Sequence, residues 1–142
     1  MKAIRKVMAV LYDFKNGRPY YLIFHRILRW RGWELLKETI EDDEDVLAAI
    51  KRGIVEETGL RDFKIISRLG HKIEWIWGDY RVVVEDVFVV KADITKPISL
   101  KQKIVEHDAY LWANKKTALE RLTFENTREA LERADRKLIK IK

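Results

Sequence analysis

The sequence contains no cysteine, and this absence excludes both a disulfide framework and a thiolate metal site. It also lacks an apolar run long enough to span a bilayer, which takes about 18 residues or more. The segment from Met1 to Val10 lacks the length and apolar run of a signal peptide. Internal repeats, low-complexity tracts and interdomain linkers are missing too. Together these absences favour a soluble cytoplasmic protein without a membrane partner.

The composition is that of a folded protein, with 47% hydrophobic and 37% charged residues in a chain of 142. This length suits a single domain that covers residues 1–142. Lysine and arginine number 29 against 23 acidic residues, which gives a net charge of +6. The positive balance favours anionic partners such as nucleotides, polyphosphates or nucleic acid, although solubility alone explains it equally well.

The start of the chain is predicted to form a hairpin. Residues Ile4 to Phe14 and Tyr20 to Leu28 are rich in aliphatic residues and tyrosine, as expected of strands. Asn16-Gly17 between them is a strong turn signal. The segment from Arg29 to Asp43 has no clean period, so we predict a loop there.

The middle of the chain is predicted to form a helix and a second hairpin. The helix extends from Glu44 to Thr58, because apolar residues recur at helical spacing and Gly59 follows as a stop signal. Strands from Phe63 to Trp77 and from Tyr80 to Ala92 flank a Gly78-Asp79 turn. The dense valine content of the second strand predicts that it is deeply buried.

The last part of the chain is predicted to contain a strand, Ala109 to Ala113, and two helices, Asn114 to Leu122 and Asn126 to Ile139. Asn126 with Glu129 gives the second helix a cap-like start. Because strands do not strictly alternate with helices, we expect an α/β (α+β) fold in which helices pack on a mixed sheet.

Two adjacent carboxylates, Glu56 and Glu57, lie near the end of the predicted long helix. Their spacing from residue 53 suggests that both project toward the same end of one helix face. Carboxylate oxygens are hard donors that suit Mg²⁺ or Mn²⁺. A solvated acidic face is the alternative, and Arg52, one turn earlier, could pair with Glu56.

The wider segment from Trp33 to Leu60 carries a set of residues at fixed spacing, namely Glu44, Arg52, Ile54, Glu56, Glu57, Gly59 and Leu60. These residues match in register the Nudix box, which the segment therefore resembles. In that motif a glycine, five residues and a glutamate are followed, after seven residues, by Arg-Glu-aliphatic-any-Glu-Glu-any-Gly-aliphatic. The resemblance implies a Nudix-type α/β/α sandwich and a metal-dependent pyrophosphohydrolase.

Two positions depart from the box. Glu38 replaces the family's opening glycine, and Gly53 replaces the glutamate that follows the arginine. In the family that glutamate is a metal ligand and in many members helps to activate water. Gly53 can do neither, so we predict attenuated hydrolysis and expect Gly53→Glu to raise it. A mid-helix glycine also costs about 1 kcal/mol relative to alanine, with no evident local gain in the sequence.

The resemblance also implies roles for individual residues. Glu56 and Glu57 would be catalytic ligands of Mg²⁺ or Mn²⁺, with Glu41 as a further ligand, and the metal would polarise the diphosphate and help to generate hydroxide. Lys37 would face the substrate phosphates, and Arg52 is also expected near the substrate. The structural part of the motif comprises Glu44, Arg52 and Gly59, with Glu44 and Arg52 as a buried pair.

The segment from Glu106 to Trp112 is similar to the closing segment of the diadenosine tetraphosphate hydrolase branch of the Nudix family, where a Glu-His pair precedes a Tyr-any-Trp strand. In that branch the glutamate reaches the metal site from a loop. Glu106 is therefore a candidate ligand or catalytic base that could partly replace what Gly53 lacks. A solvated loop carboxylate is the alternative for Glu106, and His107 is expected to be structural.

Four aromatic side chains could supply a stacking surface for a nucleotide base, and these are Trp75, Trp77, Tyr80 and Tyr110. Trp75 and Trp77 share one strand face, and Tyr80 lies across the turn from them. Core packing is the alternative for most of the four. Trp30 or Trp33, in the predicted loop, could rim the pocket.

The leading interpretation is hydrolysis of a nucleoside diphosphate linked to another group, with dinucleoside polyphosphates as a candidate class. A non-hydrolytic sensor of nucleotides or polyphosphates is the alternative, and Gly53 favours it. RNA binding is compatible with the net charge, but no RNA-binding motif supports it.

Overall fold

The computed structural model describes residues 1–141, in which eight strands form one mixed sheet and three helices pack on it. The strands are β1 (Lys2–Lys15), β2 (Arg18–Arg26), β3 (Gly32–Glu34), β4 (Leu36–Thr39), β5 (Phe63–Arg68), β6 (Ile73–Trp77), β7 (Tyr80–Ala92) and β8 (His107–Asn114). The helices are α1 (Val46–Thr58), α2 (Lys115–Arg121) and α3 (Glu125–Ile141).

Strands β1 and β7 form the centre of the sheet, where they pair in parallel from Lys2 with Tyr80 to Tyr12 with Lys91. On its other side β1 pairs antiparallel with β4 and then with β2. Strand β7 also pairs antiparallel with β6 and β5, and β2 pairs antiparallel with β3 and β8. The valines of β7 are buried, as their density predicted, because this strand has neighbours on both edges and side-chain layers on both faces.

Two hydrophobic layers cover the two faces of the sheet. One layer includes Ile50 and Ile54 of α1. The other includes Ala118 of α2 with Leu131 and Leu138 of α3. Each helix turns its apolar side to the sheet, so the sheet lies between α1 and the C-terminal helices. This arrangement confirms the predicted layered fold with a mixed sheet.

Helix α1 has well-defined ends. Asp45 accepts a hydrogen bond from the Ala48 N–H and caps the first turn. Gly59 ends the helix in the left-handed conformation, with a φ of 75°, and its N–H bonds to the Val55 carbonyl. The stop at Gly59 was predicted correctly. The predicted start at Glu44 was too early, because that residue lies outside the capped turn.

The predicted loop from Arg29 to Asp43 was wrong, because this segment contains β3 and β4. Both strands are too short to show a period of their own. Their conformation comes from pairing, since β3 bonds to the end of β2 and β4 bonds to the first half of β1. The consequence for the site is that residues 32–39 are held rigidly against the sheet.

Two other predicted boundaries need correction. The strand from Phe63 to Trp77 is divided into β5 and β6, because Asp86 accepts hydrogen bonds from Arg68 and from the His71 N–H and draws the chain into a bend. Helix α3 begins at Glu125, so the predicted cap residue Asn126 lies inside its first turn. None of the helices within residues 1–141 has the length and apolar character needed to cross a membrane.

Candidate active site

A largely buried cluster of two glutamates and one histidine, called the acidic cluster below, lies where the end of α1 meets the start of β8. Glu57, in the last turn of α1, is 3% exposed. One potential ligand atom from each of Glu57, Glu106 and His107 lies within 4.8 Å of the other two. Because β8 pairs with β2 along the sheet, its first residue, His107, and the preceding Glu106 lie at the helix end. The fold thus joins residues that are distant in the sequence.

The cluster has the properties of a cation site. Burial raises the pKa of Glu57 well above its ordinary value, and the carboxylates of Glu106, Glu38 and Glu34 raise that pKa further. The Oε2 atom of Glu57 is buried and makes no hydrogen bond with any residue between 1 and 141. A buried carboxyl oxygen without a hydrogen-bond partner is costly, and a cation among these carboxylates would remove that cost. The two carboxylates are hard oxygen donors that suit Mg²⁺ or Mn²⁺, whereas an imidazole is more typical of transition metals such as Zn²⁺.

Glu34, on β3, lies at the centre of the site. Its Oε2 accepts from Arg26 at 3.0 Å and is 2.7 Å from His107 Nε2, while its Oε1 is 3.1 Å from Lys37 Nζ. Burial alone would raise the pKa of Glu34, but the contacts with His107, Lys37 and Arg26 lower it to about 2. Glu34 is therefore an ionised, buried anion. Glu34 was not predicted as a site residue, although a carboxylate within the run Trp33-Glu34-Leu35-Leu36 was a usable signal of burial.

Arg52 ties α1 to the segment that precedes it. Its guanidinium forms a two-point contact with Glu44, with both distances 2.8 Å, and donates to the Thr39 carbonyl at 2.7 Å. The remaining nitrogen lies 3.2 Å from Glu56 and 3.3 Å from Glu38. The pairing of Arg52 with Glu44 was predicted. Because all the guanidinium nitrogens contact protein oxygens, the geometry gives no support to the predicted role of Arg52 in substrate binding.

The two helix carboxylates diverge, contrary to the prediction that they project toward one end of one face. Glu57 points into the cluster, whereas the Glu56 side chain is 54% exposed and contacts Arg52. Neighbouring helix residues are about 100° apart around the axis, so adjacent side chains do not face each other. Glu41 is also exposed, with its carboxylate 3.7 Å from Arg52. Neither Glu56 nor Glu41 belongs to the group that converges with Glu106.

Gly53 is buried where α1 crosses β4. A Cβ atom placed on it would lie 2.7 Å from the Cβ and 2.8 Å from the Cγ of Glu38. These distances are far below normal carbon contacts of about 3.5–4.0 Å. The glycine therefore makes room for the Glu38 side chain, which is the gain that the sequence alone did not reveal. The prediction that Gly53→Glu raises hydrolysis stays a prediction, and the structure adds that the new side chain would meet Glu38 in the same space.

A cleft opens on the other side of Glu34. It comprises two adjoining cavities of about 320 and 330 Å³ that share Trp30, Lys37, Trp75 and Trp77. The Lys37 Nζ atom lies 5.1 Å from the ring centre of Trp75 and 5.7 Å from that of Trp30. Cation–π contacts at this range hold the ammonium group between the rings. The cleft therefore offers aromatic faces around a positive charge.

The second cavity is strongly cationic, and its lining includes Lys6, Arg26, Arg29 and Lys37. Burial lowers the pKa of Lys6, and the charges of Lys37 and Arg26 lower it further. Repulsion among these groups would be relieved by an anion. Arg26 also lies 3.9 Å from Glu106, so the cationic cavity adjoins the acidic cluster.

The predicted stacking residues fall into two groups. Trp75 and Trp77 line both cavities and Tyr80 lines the second. Tyr110 lies elsewhere, because β8 pairs with β2, whereas the tryptophans belong to β6 on the far side of β1 and β7. The predicted contact of Tyr110 with a base therefore has no support in the geometry. Trp30 does rim the pocket, as one of two alternatives anticipated, and stands edge-on to Phe124 at 5.0 Å.

Comparison with known proteins gives one family match. The model of the NUDIX domain family matches residues 2–133. Among solved structures, a binary complex of the Ap4A hydrolase from C. elegans has a TM-score of 0.84 at 16% identity, with 96% of this chain and 98% of that chain covered. The MutT protein from Methanosarcina mazei Go1 has a TM-score of 0.73 at 21% identity, with 96% and 95% covered. At these identities the similarity concerns the fold.

Two further proteins with other names are similar to this chain. The NUDIX domain of NrtR from Shewanella oneidensis, solved with ADP ribose, has a TM-score of 0.69 at 15% identity, covering 97% of this chain and 90% of that one. A curated protein named octanoyltransferase, from Myxococcus xanthus, is 33% identical over 119 residues, or 80% of this chain. That match spans 31% of the length of the relative, so it concerns a part of that protein.

Proposed function

We propose that this chain, which belongs to the NUDIX family, hydrolyses a phosphoanhydride bond in a nucleoside diphosphate linked to another group. The observation that carries the proposal is the junction of two opposite environments. A cationic, aromatic cleft meets a buried carboxylate cluster at Arg26 and Glu34. A nucleotide polyphosphate has the matching pair of features, which are a flat base and a chain of anionic groups that also binds divalent cations.

The cleft supports a nucleotide as the substrate class. Lys6, Arg29 and Lys37 would contact phosphate oxygens, and Trp75 with Tyr80 would stack on a base. Names among structural neighbours, Ap4A hydrolase and dihydroneopterin triphosphate pyrophosphohydrolase, also favour substrates with a chain of phosphates. We include dinucleoside polyphosphates as the first class to assay.

The acidic cluster would hold the cation through Glu57 and Glu106. Such a bound Mg²⁺ or Mn²⁺ polarises the phosphoanhydride and lowers the pKa of water. Glu106 lies at the boundary with the cleft and is suited to accept a proton from the attacking water. Glu56 and Glu41, whose exposed carboxylates contact Arg52, are proposed as outer ligands.

Glu34 is proposed as a positioning residue. Its two oxygens contact His107 on one side and Lys37 on the other. It would fix the imidazole near the cation and the ammonium group near the phosphates. Because it is buried and ionised, it can keep both contacts throughout a catalytic cycle.

A panel of nucleoside and dinucleoside polyphosphates, assayed for turnover with Mg²⁺ or Mn²⁺, tests the proposal. Wild-type protein should cleave at least one class, and Glu57→Gln should lower the rate by about 10²-fold or more. Glu129→Gln, on the exposed surface of α3, is the matched control and should leave the rate unchanged. Gly53 favours a second candidate, a non-hydrolytic binding module. Tight nucleotide binding without turnover by wild-type protein would support that candidate and contradict hydrolysis.

A further inference from the structure

Glu38 and Gly53 face each other across the contact between β4 and α1. The three atoms nearest to a Cβ built on Gly53 all belong to Glu38, and they are its Cβ at 2.7 Å, its Cγ at 2.8 Å and its Oε2 at 3.2 Å. In the Nudix box the glycine belongs at the position of Glu38 and the glutamate at the position of Gly53. This chain carries the same two residue types with their positions exchanged.

The carboxylate of Glu38 lies in the space that a side chain on residue 53 would fill. A glutamate on α1 would extend from the built Cβ, and Glu38 Oε2 is already 3.2 Å from that atom. The Glu38 side chain is 17% exposed, so it is enclosed between strand and helix. The exchange therefore keeps a carboxylate in this region and changes only the element that carries it.

One oxygen of Glu38 is free for another partner. Its Oε1 accepts from the Thr39 N–H at 3.1 Å and lies 3.3 Å from Arg52. No described residue of the chain donates a hydrogen bond to its Oε2. Burial raises the pKa of Glu38, with Arg52 opposing and Glu56 adding to the rise, so the group gains from a further positive charge nearby.

Glu38 is not one of the three residues whose ligand atoms converge, but its charge acts on that cluster. Its charge is among those that raise the pKa of Glu57. The buried Glu57 Oε2, which has no hydrogen-bond partner within residues 1–141, points independently to a ligand in this region. The Glu38 carboxylate thus lies against residue 53, which is one helical turn before Glu57 on the same face of α1.

We propose that Glu38 supplies, from β4, the carboxylate that Gly53 lacks on α1, and that it acts as a ligand of the divalent cation held by Glu57 and Glu106. The inference rests on the proposed function for its metal site. It also changes the expectation for activity, because Gly53 then marks a relocated ligand and not a missing one. The competing explanation is that Glu38 only pairs with Arg52 and stabilises the fold.

Calorimetry with Mn²⁺ separates the two explanations without any need for turnover. Glu38→Gln keeps the size of the side chain and its hydrogen bonds but removes the charge. A ligand role predicts that it weakens Mn²⁺ binding by about tenfold to a hundredfold. Glu129→Gln should bind Mn²⁺ as wild type does. Unchanged Mn²⁺ affinity in Glu38→Gln, or no measurable binding by wild type, would overturn the inference.

The exchange itself is tested by a cycle of Glu38→Gly, Gly53→Glu and the double variant, with Mn²⁺ affinity and melting temperature as readouts. Each single variant should bind Mn²⁺ at least about tenfold more weakly than wild type, because one lacks the carboxylate and the other forces two side chains into one space. The double variant should recover both stability and Mn²⁺ affinity, the latter to within about threefold of wild type. A folded double variant that binds no better than Glu38→Gly would contradict the proposal.

The outcomes also distinguish this inference from the proposed function. If wild type shows no turnover but Mn²⁺ binding depends on Glu38, the ligand assignment stands and hydrolysis fails. If wild type hydrolyses a substrate while Glu38→Gln retains both its Mn²⁺ affinity and its rate, hydrolysis stands and the assignment of Glu38 fails.

Discussion

Gly53→Ala adds one methyl group at the point where α1 crosses β4, and two opposing effects decide its influence on stability. Alanine is better than glycine in a helix interior by about 1 kcal/mol. The new Cβ, however, would lie 2.7 and 2.8 Å from two carbons of Glu38. Overpacking of this kind costs typically about 1–3 kcal/mol. The backbone-anchored Cβ of Glu38 cannot move without β4, so we expect a net loss of up to about 2 kcal/mol.

The same change should have the opposite sign once the obstacle is removed. In a Glu38→Gly background the three nearest atoms are gone, and Gly53→Ala should stabilise the protein by about 0.5–1 kcal/mol. A Glu38→Ala background is the discriminating control, because it keeps the Cβ at 2.7 Å and should retain most of the penalty. Both backgrounds lack the Glu38 charge. The difference between the effects of Gly53→Ala on the unfolding free energy in the two backgrounds therefore reports the steric contact alone.

Urea unfolding, followed by circular dichroism, measures these differences as shifts of the midpoint at a constant slope. A stabilisation of about 1 kcal/mol by Gly53→Ala in the wild-type background would refute the reasoning, since it would mean that helix propensity acts without opposition. Equal effects of Gly53→Ala in the glycine and alanine backgrounds would also contradict the assigned contact.

Two further predictions address the cleft and the sheet. Lys37→Ala should weaken binding of a nucleotide polyphosphate by about tenfold or more, because it removes a charged donor from the cleft, whereas Lys51→Ala, on the exposed side of α1, should have little effect. Equal losses in a calorimetric titration would indicate a general effect of charge. Burial alone would raise the pKa of Asp86, but hydrogen bonds from Arg68 and two backbone N–H groups lower it below its usual value. A carboxyl whose pKa is lower in the folded state stabilises the folded protein at pH values above its unfolded pKa, which is about 3.9 for Asp. That contribution is lost as the pH falls through the folded pKa. Asp86→Asn should therefore cost about 1–3 kcal/mol of unfolding free energy at pH 7, and this cost should shrink below about pH 4. A difference in unfolding free energy that stays constant from pH 7 to pH 3 would contradict this.

The sequence predicted those elements whose signals are local. Asn16-Gly17 and Gly78-Asp79 mark their turns by residue type, and the stop at Gly59 depends only on the freedom of glycine to adopt a positive φ. The long helix and the valine-rich strand carry enough residues to show a period. Strands β3 and β4 were missed because three or four residues cannot show one, and their structure depends on partners.

In the candidate site, too, the residues with local signals could be predicted, and those that depend on contacts between elements could not. The motif residues Glu57 and Arg52 could be singled out from spacing, and Glu106 from a short resemblance near the end of the chain. The divergence of Glu56 from Glu57 requires only helix geometry and was open to prediction. By contrast, both departures at Glu38 and Gly53 were visible in the sequence, but their contact joins two elements and no local pattern reveals it.

The parallel pairing of β1 with β7 also governs how the chain can fold. The first strand finds its central partner only when residues 80–92 have been synthesised, since Lys2 pairs with Tyr80 and Tyr12 with Lys91. Pairing residues this distant in sequence closes a long loop, and the entropy of the loop is lost before the new contacts stabilise the structure. This cost slows folding. On the ribosome, the hydrophobic run from Val7 to Leu11 is therefore synthesised well before β7, the strand that completes its enclosure. A nascent chain that ends before β7 exposes an unpaired strand edge, and such edges are where aggregation begins.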